Sequence, residues 1–263
     1  MELMPSLEDA DARGFPRIVS ETPVRRALVL AAGNGDRFVN GAPHSKLLQS
    51  VLGRPLIVRT LTTAAAAGIT KFEVVLGFQA ESLRGAISAH CPDLDVRFTY
   101  NPEWRLENGV SVLAARHRLE DGPFGLLMGD HLFEPSALTK LLHCSVGRDE
   151  SVLAVDRRPA PDDVVQEATK VTLEGSKIRA IGKDLPRFDA LDTGMFVCSP
   201  AVFDALVASQ RTGDTTLSGG IRQLAARGLM HGIDIGDAEW FDIDTMADLE
   251  AAETRLAVKS EPA

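Results

Sequence analysis

Cysteine is scarce and widely scattered. Cys91, Cys144 and Cys198 are the three present, and their odd number and wide separation argue against a disulfide framework or a metal-type spacing. Reduced thiols in a cytoplasmic protein are the simpler expectation. A basic excess is also missing. The 28 Lys and Arg are outnumbered by 37 Asp and Glu, for a net charge of −9, so a nucleic-acid surface is not expected. An anionic substrate must then be met by local Arg and Lys or by a metal ion. No stretch approaches the ~20 apolar residues that a membrane span needs. Met1 to about Glu21 is acidic and polar, without the apolar core of a signal peptide. Aromatic residues make up 5% of the chain, with one Tyr and two Trp, which disfavours an aromatic cage for a quaternary ammonium. These absences leave a soluble, cytoplasmic protein. At 263 residues, 44% of them hydrophobic, it is long enough to bury a full core without disulfides.

Two half-chains differ in texture. Residues 1–23 read as a loose tail, and 24–259 as a single domain with halves at 24–150 and 151–259. The first half alternates apolar strands (27–32, 72–76, 96–100, 124–128) with helices (55–68, 80–91, 109–119, 135–143). That alternation argues an α/β fold with a mostly parallel sheet between helices. The second half offers strands at 151–155, 169–173, 177–181 and 194–198, and helices at 201–209, 220–227 and 246–258. It is expected to complete the same sheet.

The first strand runs into Leu30-Ala31-Ala32-Gly33-Asn34-Gly35-Asp36-Arg37, with Lys46 after a short polar loop. Gly33 and Gly35 permit backbone angles that side chains forbid and let main-chain N–H groups approach an anion. Arg37 and Lys46 bring positive charge to the same place, so this loop is expected to hold a nucleoside triphosphate. A P-loop would need Gly-Lys-Ser/Thr, which is absent. A dinucleotide fingerprint would need a small residue where Phe38 stands.

Two acidic sites follow. Met128-Gly129-Asp130-His131 ends the most apolar strand, and ligands in open α/β sheets bind at the carboxyl ends of strands. Asp130 there can hold Mg²⁺ or cap the helix that begins near Pro135. In Trp240-Phe241-Asp242-Ile243-Asp244-Thr245, both aspartates point to one face of an extended segment. Mg²⁺ takes one or two carboxylates plus phosphate oxygens, so Asp130 with Asp242 or Asp244 would complete a site. Asp244 or Thr245 can equally cap the last helix. His131 adjoins Asp130 and can shape that site.

A third group lies at strand ends of the second half: Glu167-Ala-Thr-Lys170-Val, Ile181-Gly182-Lys183-Asp184-Leu185, and Asp192-Thr193-Gly194-Met195-Phe196-Val197. It offers two cations for a phosphate and two carboxylates for hydroxyls. The loop signature Leu-x-x-Gly-x-Gly-x-Arg, then Lys, resembles that of nucleotidyltransferases that activate phosphorylated sugars and alcohols. One departure is that Ser45, not Pro, precedes Lys46. Together with Met-Gly-Asp-His, Glu-Ala-Thr-Lys-Val, Ile-Gly-Lys-Asp-Leu, Asp-Thr-Gly-x-Phe-Val and Asp-Ile-Asp-Thr, the pattern over about residues 26–255 resembles the CTP:inositol-1-phosphate cytidylyltransferase family.

The resemblance implies a Rossmann-like mixed sheet of the glycosyltransferase-A type, and a Mg²⁺-dependent reaction of CTP with inositol 1-phosphate giving CDP-inositol and pyrophosphate. It implies that Arg37 and Lys46 hold the triphosphate and Lys183 the attacking phosphate. Leu30, Ala31, Ala32, Gly33, Asn34, Gly35, Asn108, Gly109 and Ser111 would surround the nucleotide. Glu167, Lys170 and Asp192 would read the polyol, and Asp130, Asp242 and Asp244 would hold the metal. A transferase for another phosphorylated alcohol, phosphonate or sugar 1-phosphate is the alternative within the superfamily. A nucleotide-binding regulatory protein without activity is the alternative outside it.

Overall fold

The computed structural model describes residues 23–35, 45–145 and 147–260. Strand β1 (Arg26–Ala31) precedes a short 3-10 turn (Lys46–Leu48) and a small hairpin of β2 (Ser50–Val51) and β3 (Arg54–Pro55). Then come α1 (Leu56–Ala66), β4 (Lys71–Leu76), α2 (Ala80–His90), β5 (Asp95–Tyr100), α3 (Asn108–Ala114), α4 (Arg116–Leu119), β6 (Phe124–Met128), β7 (His131–Phe133) and α5 (Pro135–Leu142). The second half adds β8 (Ser151–Asp156), α6 (Asp162–Glu167), β9 (Lys170–Glu174), β10 (Lys177–Gly182) and β11 (Ala190–Cys198). It ends with α7 (Ala201–Gln210), α8 (Leu217–Ala226), β12 (Met230–Asp234), β13 (Trp240–Asp242) and α9 (Met246–Ser260).

Nine strands from both halves form one sheet in the order β5-β4-β1-β6-β11-β8-β12-β10-β9. β5, β4, β1 and β6 are mutually parallel. β11 runs antiparallel to both β6 and β8, β12 is parallel to β8, and β10 is antiparallel to β12 and β9. The architecture is therefore the α/β, Rossmann-like mixed sheet expected. Strand β1 shows why its run is apolar throughout. Ala27, Val29 and Ala31 enter one core with Leu61, Leu83 and Leu138 of α1, α2 and α5. Leu28 enters the other with Val112, Phe203 and Ile221 of α3, α7 and α8. Successive side chains point to opposite faces, and both faces are covered.

Two expectations need correction, and one strand of the sheet was not expected. Residues 109–119 form two pieces, broken at Ala115 (φ −92°, ψ 1°), so that Ala115 and Leu119 are buried while His117 and Arg118 reach solvent. The strand expected at 194–198 begins at Ala190. Strand β12 escaped the sequence reading because His231 and Gly232 interrupt its apolar run, although it pairs with β8 across Met230–Asp234.

The order β5-β4-β1-β6 places later strands on both sides of β1. Its C-terminal end beside that of β6 is the topological switch point, where a crevice opens. The two strand ends meet closely: Gly129 N–H donates to the Leu30 carbonyl at 2.9 Å. A Cβ on Gly129 would stand 2.6 Å from that same oxygen, so only glycine allows the approach.

Candidate active site

Asp130 emerges at this switch point. Thr60, buried on α1, lies 3.0 Å from both the Gly129 and the His131 carbonyls, and its hydroxyl braces the turn that carries Asp130. Lys46 enters from the 3-10 turn. Its ammonium lies 2.8 Å from Asp130 Oδ2 and 2.9 Å from Asp244 Oδ1, and the residue is only 7% exposed. Burial by itself would lower the Lys46 pKa, but Asp130 and Asp244 outweigh it and hold the ammonium charged well above its ordinary range. Asp130 is the mirror case. Burial would raise it, yet Lys46 and then His131 keep its carboxyl below the usual value.

The residue before Lys46 explains how a chain without proline there keeps the turn. Ser45 has φ −57° and ψ 136°, angles that a proline would also adopt. Its N–H, which proline lacks, donates to Gln79 Oε1 at 2.9 Å. Gln79 sits at a left-handed φ of 49° at the start of α2.

Asp242 arrives by a separate route. Strand β13 pairs antiparallel with β7, placing Asp242 opposite His131. Trp240 is anchored by its Nε1–H to Asp156 Oδ2 at 2.9 Å. The α9 cap decides between Asp244 and Thr245 as the capping side chain. Thr245 and Asp248 bond reciprocally, with Thr245 N–H donating to Asp248 Oδ2 at 2.6 Å and Asp248 N–H to Thr245 Oγ1 at 3.2 Å. Thr245 is thus the cap. Asp244 faces Lys46, and Asp242 faces His131, whose Nε2 lies 3.3 Å from Asp242 Oδ1. One ligand atom each from Asp130, His131 and Asp242 lie within 4.8 Å of one another. Two carboxylates in reach of one point suit a hard divalent cation.

His131 was not expected to be central. Its ring is buried and its Nδ1 pairs with the Thr193 carbonyl at 2.9 Å. Burial would lower its pKa, but Asp242 and then Asp130 push it up to about 10. The only sequence hint was its place directly after Asp130. The contact exists because β11 is irregular here: Asp192 pairs with Val155 and Phe196 with Leu153, so extra residues bulge between them. Gly194 in the bulge has φ 72°, and a Cβ there would stand 2.4 Å from the His131 ring. The bulge also aims Asp192, whose Oδ1 accepts from Gly194 N–H at 2.8 Å. Burial raises the Asp192 carboxyl to about 6.

Asp192 links the Asp130, His131 and Asp242 cluster to the second-half residues. Its N–H donates to the Thr169 carbonyl at 2.9 Å. Next to Thr169, the buried Lys170 donates through Nζ to the Lys183 carbonyl at 2.6 Å. Lys170 therefore holds the backbone of Lys183, while Lys183 itself is exposed at the end of β10, as is Glu167 at the end of α6. On the nucleotide side, several expected contacts are occupied within the protein. Asn108 Oδ1 accepts from Leu217 N–H at 2.8 Å. Gly109 lies against the Thr215 and Thr216 backbone, too close for any side chain. Ser111 is buried and accepts from Asn101 Nδ2 at 3.0 Å. Leu30 to Gly35 lie at and beyond the end of β1, whereas Arg37 falls outside the described residues.

Comparison with known proteins fits this geometry. A family model described as the MobA-like NTP transferase domain matches residues 27–225. The chain belongs to this nucleotidyltransferase family. It is 38% identical over 232 residues to a "Bifunctional IPC transferase and DIPP synthase" of Rubrobacter xylanophilus, covering 86% of this chain and 51% of that protein. A protein of the same description from Aquifex aeolicus is 32% identical over 236 residues, covering 89% and 52%. The chain thus spans about half the length of these relatives. Among solved structures, "inositol-1-phosphate CTP transferase from T. maritima" superposes with a TM-score of 0.79 at 27% identity, over 92% of this chain and 99% of that one. No helix among the described residues is long and apolar enough to cross a membrane.

Proposed function

We propose that this chain transfers a cytidylyl group from CTP to inositol 1-phosphate, giving CDP-inositol and pyrophosphate, and that residues 24–259 act as one catalytic unit. The observation that supports this most is the 0.79 TM-score to an inositol-1-phosphate CTP transferase along nearly the whole of both chains, joined to a switch-point site that gathers Lys46, Asp130 and Asp242. An acceptor phosphate oxygen attacks the α-phosphorus of CTP, and the bond to the pyrophosphate oxygen breaks in line. The acceptor phosphate is already ionised at neutral pH, so positioning and charge stabilisation carry the rate.

In this reading Arg37 and Lys46 hold the triphosphate, and Lys183 holds the acceptor phosphate, kept in place by Lys170. Asp192 and Glu167 accept hydrogen bonds from ring hydroxyls. Leu30 to Gly35 and Asn108 to Ser111 border the nucleoside. Mg²⁺ held by Asp130 and Asp242 would neutralise phosphate charge, while Asp244 keeps Lys46 in register beside it. The three cysteines are free and buried, consistent with the cytoplasmic location that belongs to this proposal.

The test is pyrophosphate release from a panel of four nucleoside triphosphates against several phosphorylated alcohols, with and without EDTA. CTP with inositol 1-phosphate should dominate, and activity should vanish with chelator and return with Mg²⁺. A different preferred pair would reassign the substrate, and no release from any pair would overturn the catalytic reading.

A further inference from the structure

The donor atoms at the Asp130 turn are more specific than a pair of carboxylates. Asp130 divides its two oxygens: Oδ2 is bound to Lys46, and Oδ1 faces His131 Nε2 at 3.8 Å. Asp242 Oδ1 faces the same nitrogen at 3.3 Å. Ligands in neighbouring positions of an octahedral ion with ~2.1 Å bonds stand about 3 Å apart, so this nitrogen and these two oxygens need little movement to share one ion. The other ring nitrogen is engaged as metal-ligating histidines usually are, by a backbone carbonyl that fixes tautomer and ring orientation: Nδ1 meets Thr193 at 2.9 Å. The ring's place is reserved by Gly194, where any Cβ would collide with Nδ1 and Cε1 at 2.4 Å. Trp240 stands 5.9 Å away, centroid to centroid, on another side.

We infer that His131 supplies a nitrogen ligand to the divalent cation of this centre, giving a two-oxygen, one-nitrogen donor set that favours first-row transition dications such as Mn²⁺ and Co²⁺. The inference rests on the proposal that the centre holds a divalent cation. Imidazole suits the later transition metals far better than Mg²⁺, which prefers oxygen. The ring would bind in its neutral form, with Nδ1–H donating to Thr193 and the Nε2 lone pair on the ion.

The test is pulsed EPR of Mn²⁺ bound to the full chain without nucleotide or acceptor. Protein made with ¹⁵N-histidine should show ¹⁵N coupling in place of ¹⁴N. His131→Gln should abolish that coupling, while Asp242→Asn should weaken Mn²⁺ binding and keep it. By calorimetry, His131→Gln should weaken Co²⁺ binding by about tenfold or more and Mg²⁺ binding by less than about threefold. The labelled wild-type spectrum decides the matter even if a variant fails to fold. Bound Mn²⁺ without histidine coupling, or equal losses for Co²⁺ and Mg²⁺, would overturn the nitrogen ligand and leave the cation proposal standing. Absence of Mn²⁺ binding with and without CTP would overturn both. Failure of the substrate panel alone would touch neither.

Discussion

Lys46 and Lys183 sit at opposite sides of the proposed reaction and are held in opposite ways. The Lys46 head group is buried between two carboxylates. For Lys183 the backbone is fixed, through Lys170 Nζ, and the side chain reaches solvent. Pairing a buried ammonium fixes its position before any ligand arrives, and removing one partner leaves uncompensated charge. An exposed lysine on a fixed backbone gains its partner only when an anion binds. The difference separates a preorganised end of the site from a recruited one.

The largest effect should come from breaking the preorganised end. Asp130→Asn removes the carboxylate shared by Lys46 and His131. Turnover should fall by about 10²–10³-fold, the range for losing one preorganised electrostatic group. Lys46→Ala should add a stability loss at or below the ~3–5 kcal/mol of a broken buried pair, because Asp130 and Asp244 keep partial solvent access. Steady-state kinetics and denaturant midpoints check both, and near-wild-type turnover in Asp130→Asn would erase the contrast.

At the recruited end, Lys183→Ala should leave stability and CTP affinity unchanged. Acceptor kcat/KM should drop by about 100-fold if a charged contact of ~3 kcal/mol is lost. Calorimetry with each substrate separately sharpens the comparison. A loss confined to CTP binding would place Lys183 on the wrong side.

A pH profile probes the residue that joins the two ends. Asp192, raised by burial to about 6, is protonated below that value and ionised above it. If its carboxylate accepts from the acceptor's hydroxyls, kcat/KM should fall below pH about 6 and approach a tenfold loss per unit. Asp192→Asn should remove that limb. The sign for stability is opposite. The folded pKa exceeds the ordinary ~3.9, so the folded form binds protons better and stability declines as pH rises from about 4 to 6. Thermal midpoints of the same two proteins over that window report it.

The smallest effect belongs to Ser45→Pro. The backbone angles at Ser45 already suit proline, but the change removes two hydrogen bonds, Ser45 N–H to Gln79 Oε1 at 2.9 Å and Leu47 N–H to Ser45 Oγ at 3.3 Å. Gain from a stiffer unfolded chain offsets part of the loss of those two bonds, so the net loss should be no more than about 2 kcal/mol. A loss of several kcal/mol, read from a denaturant melt, would show that the Gln79 contact holds the Lys46 turn.

The parallel half was legible because its signals are local. Phe124–Met128 is apolar, buried and the length of a strand, and it occurs where expected. The same holds for the helix after Pro135, since proline is favoured in the first turn. Strand β7, and its pairing with β13, were not legible, although 240–245 read as extended. Each strand has three residues, too few for a periodic pattern, and each is stabilised by pairing with the other across more than a hundred positions. His131 was underrated for the same reason: its significance lies in Thr193 and Asp242, neither of which is near it in sequence.

The order of residues by itself determined the class of fold, the glycine turn after β1, and the presence of strand-end aspartates and lysines, because period, glycine and apolar runs act over a few neighbours. Only the tertiary structure decided how those charges are divided. It set Asp244 against Lys46 and Asp242 against His131, gave the α9 cap to Thr245, and tied Asn108 and Ser111 to neighbouring backbone and side chain. Two aspartates two residues apart on one extended segment are equivalent to any sequence rule. Antiparallel pairing with β7 and the start of α9 put their oxygens beside different partners, and charge energies depend on those distances.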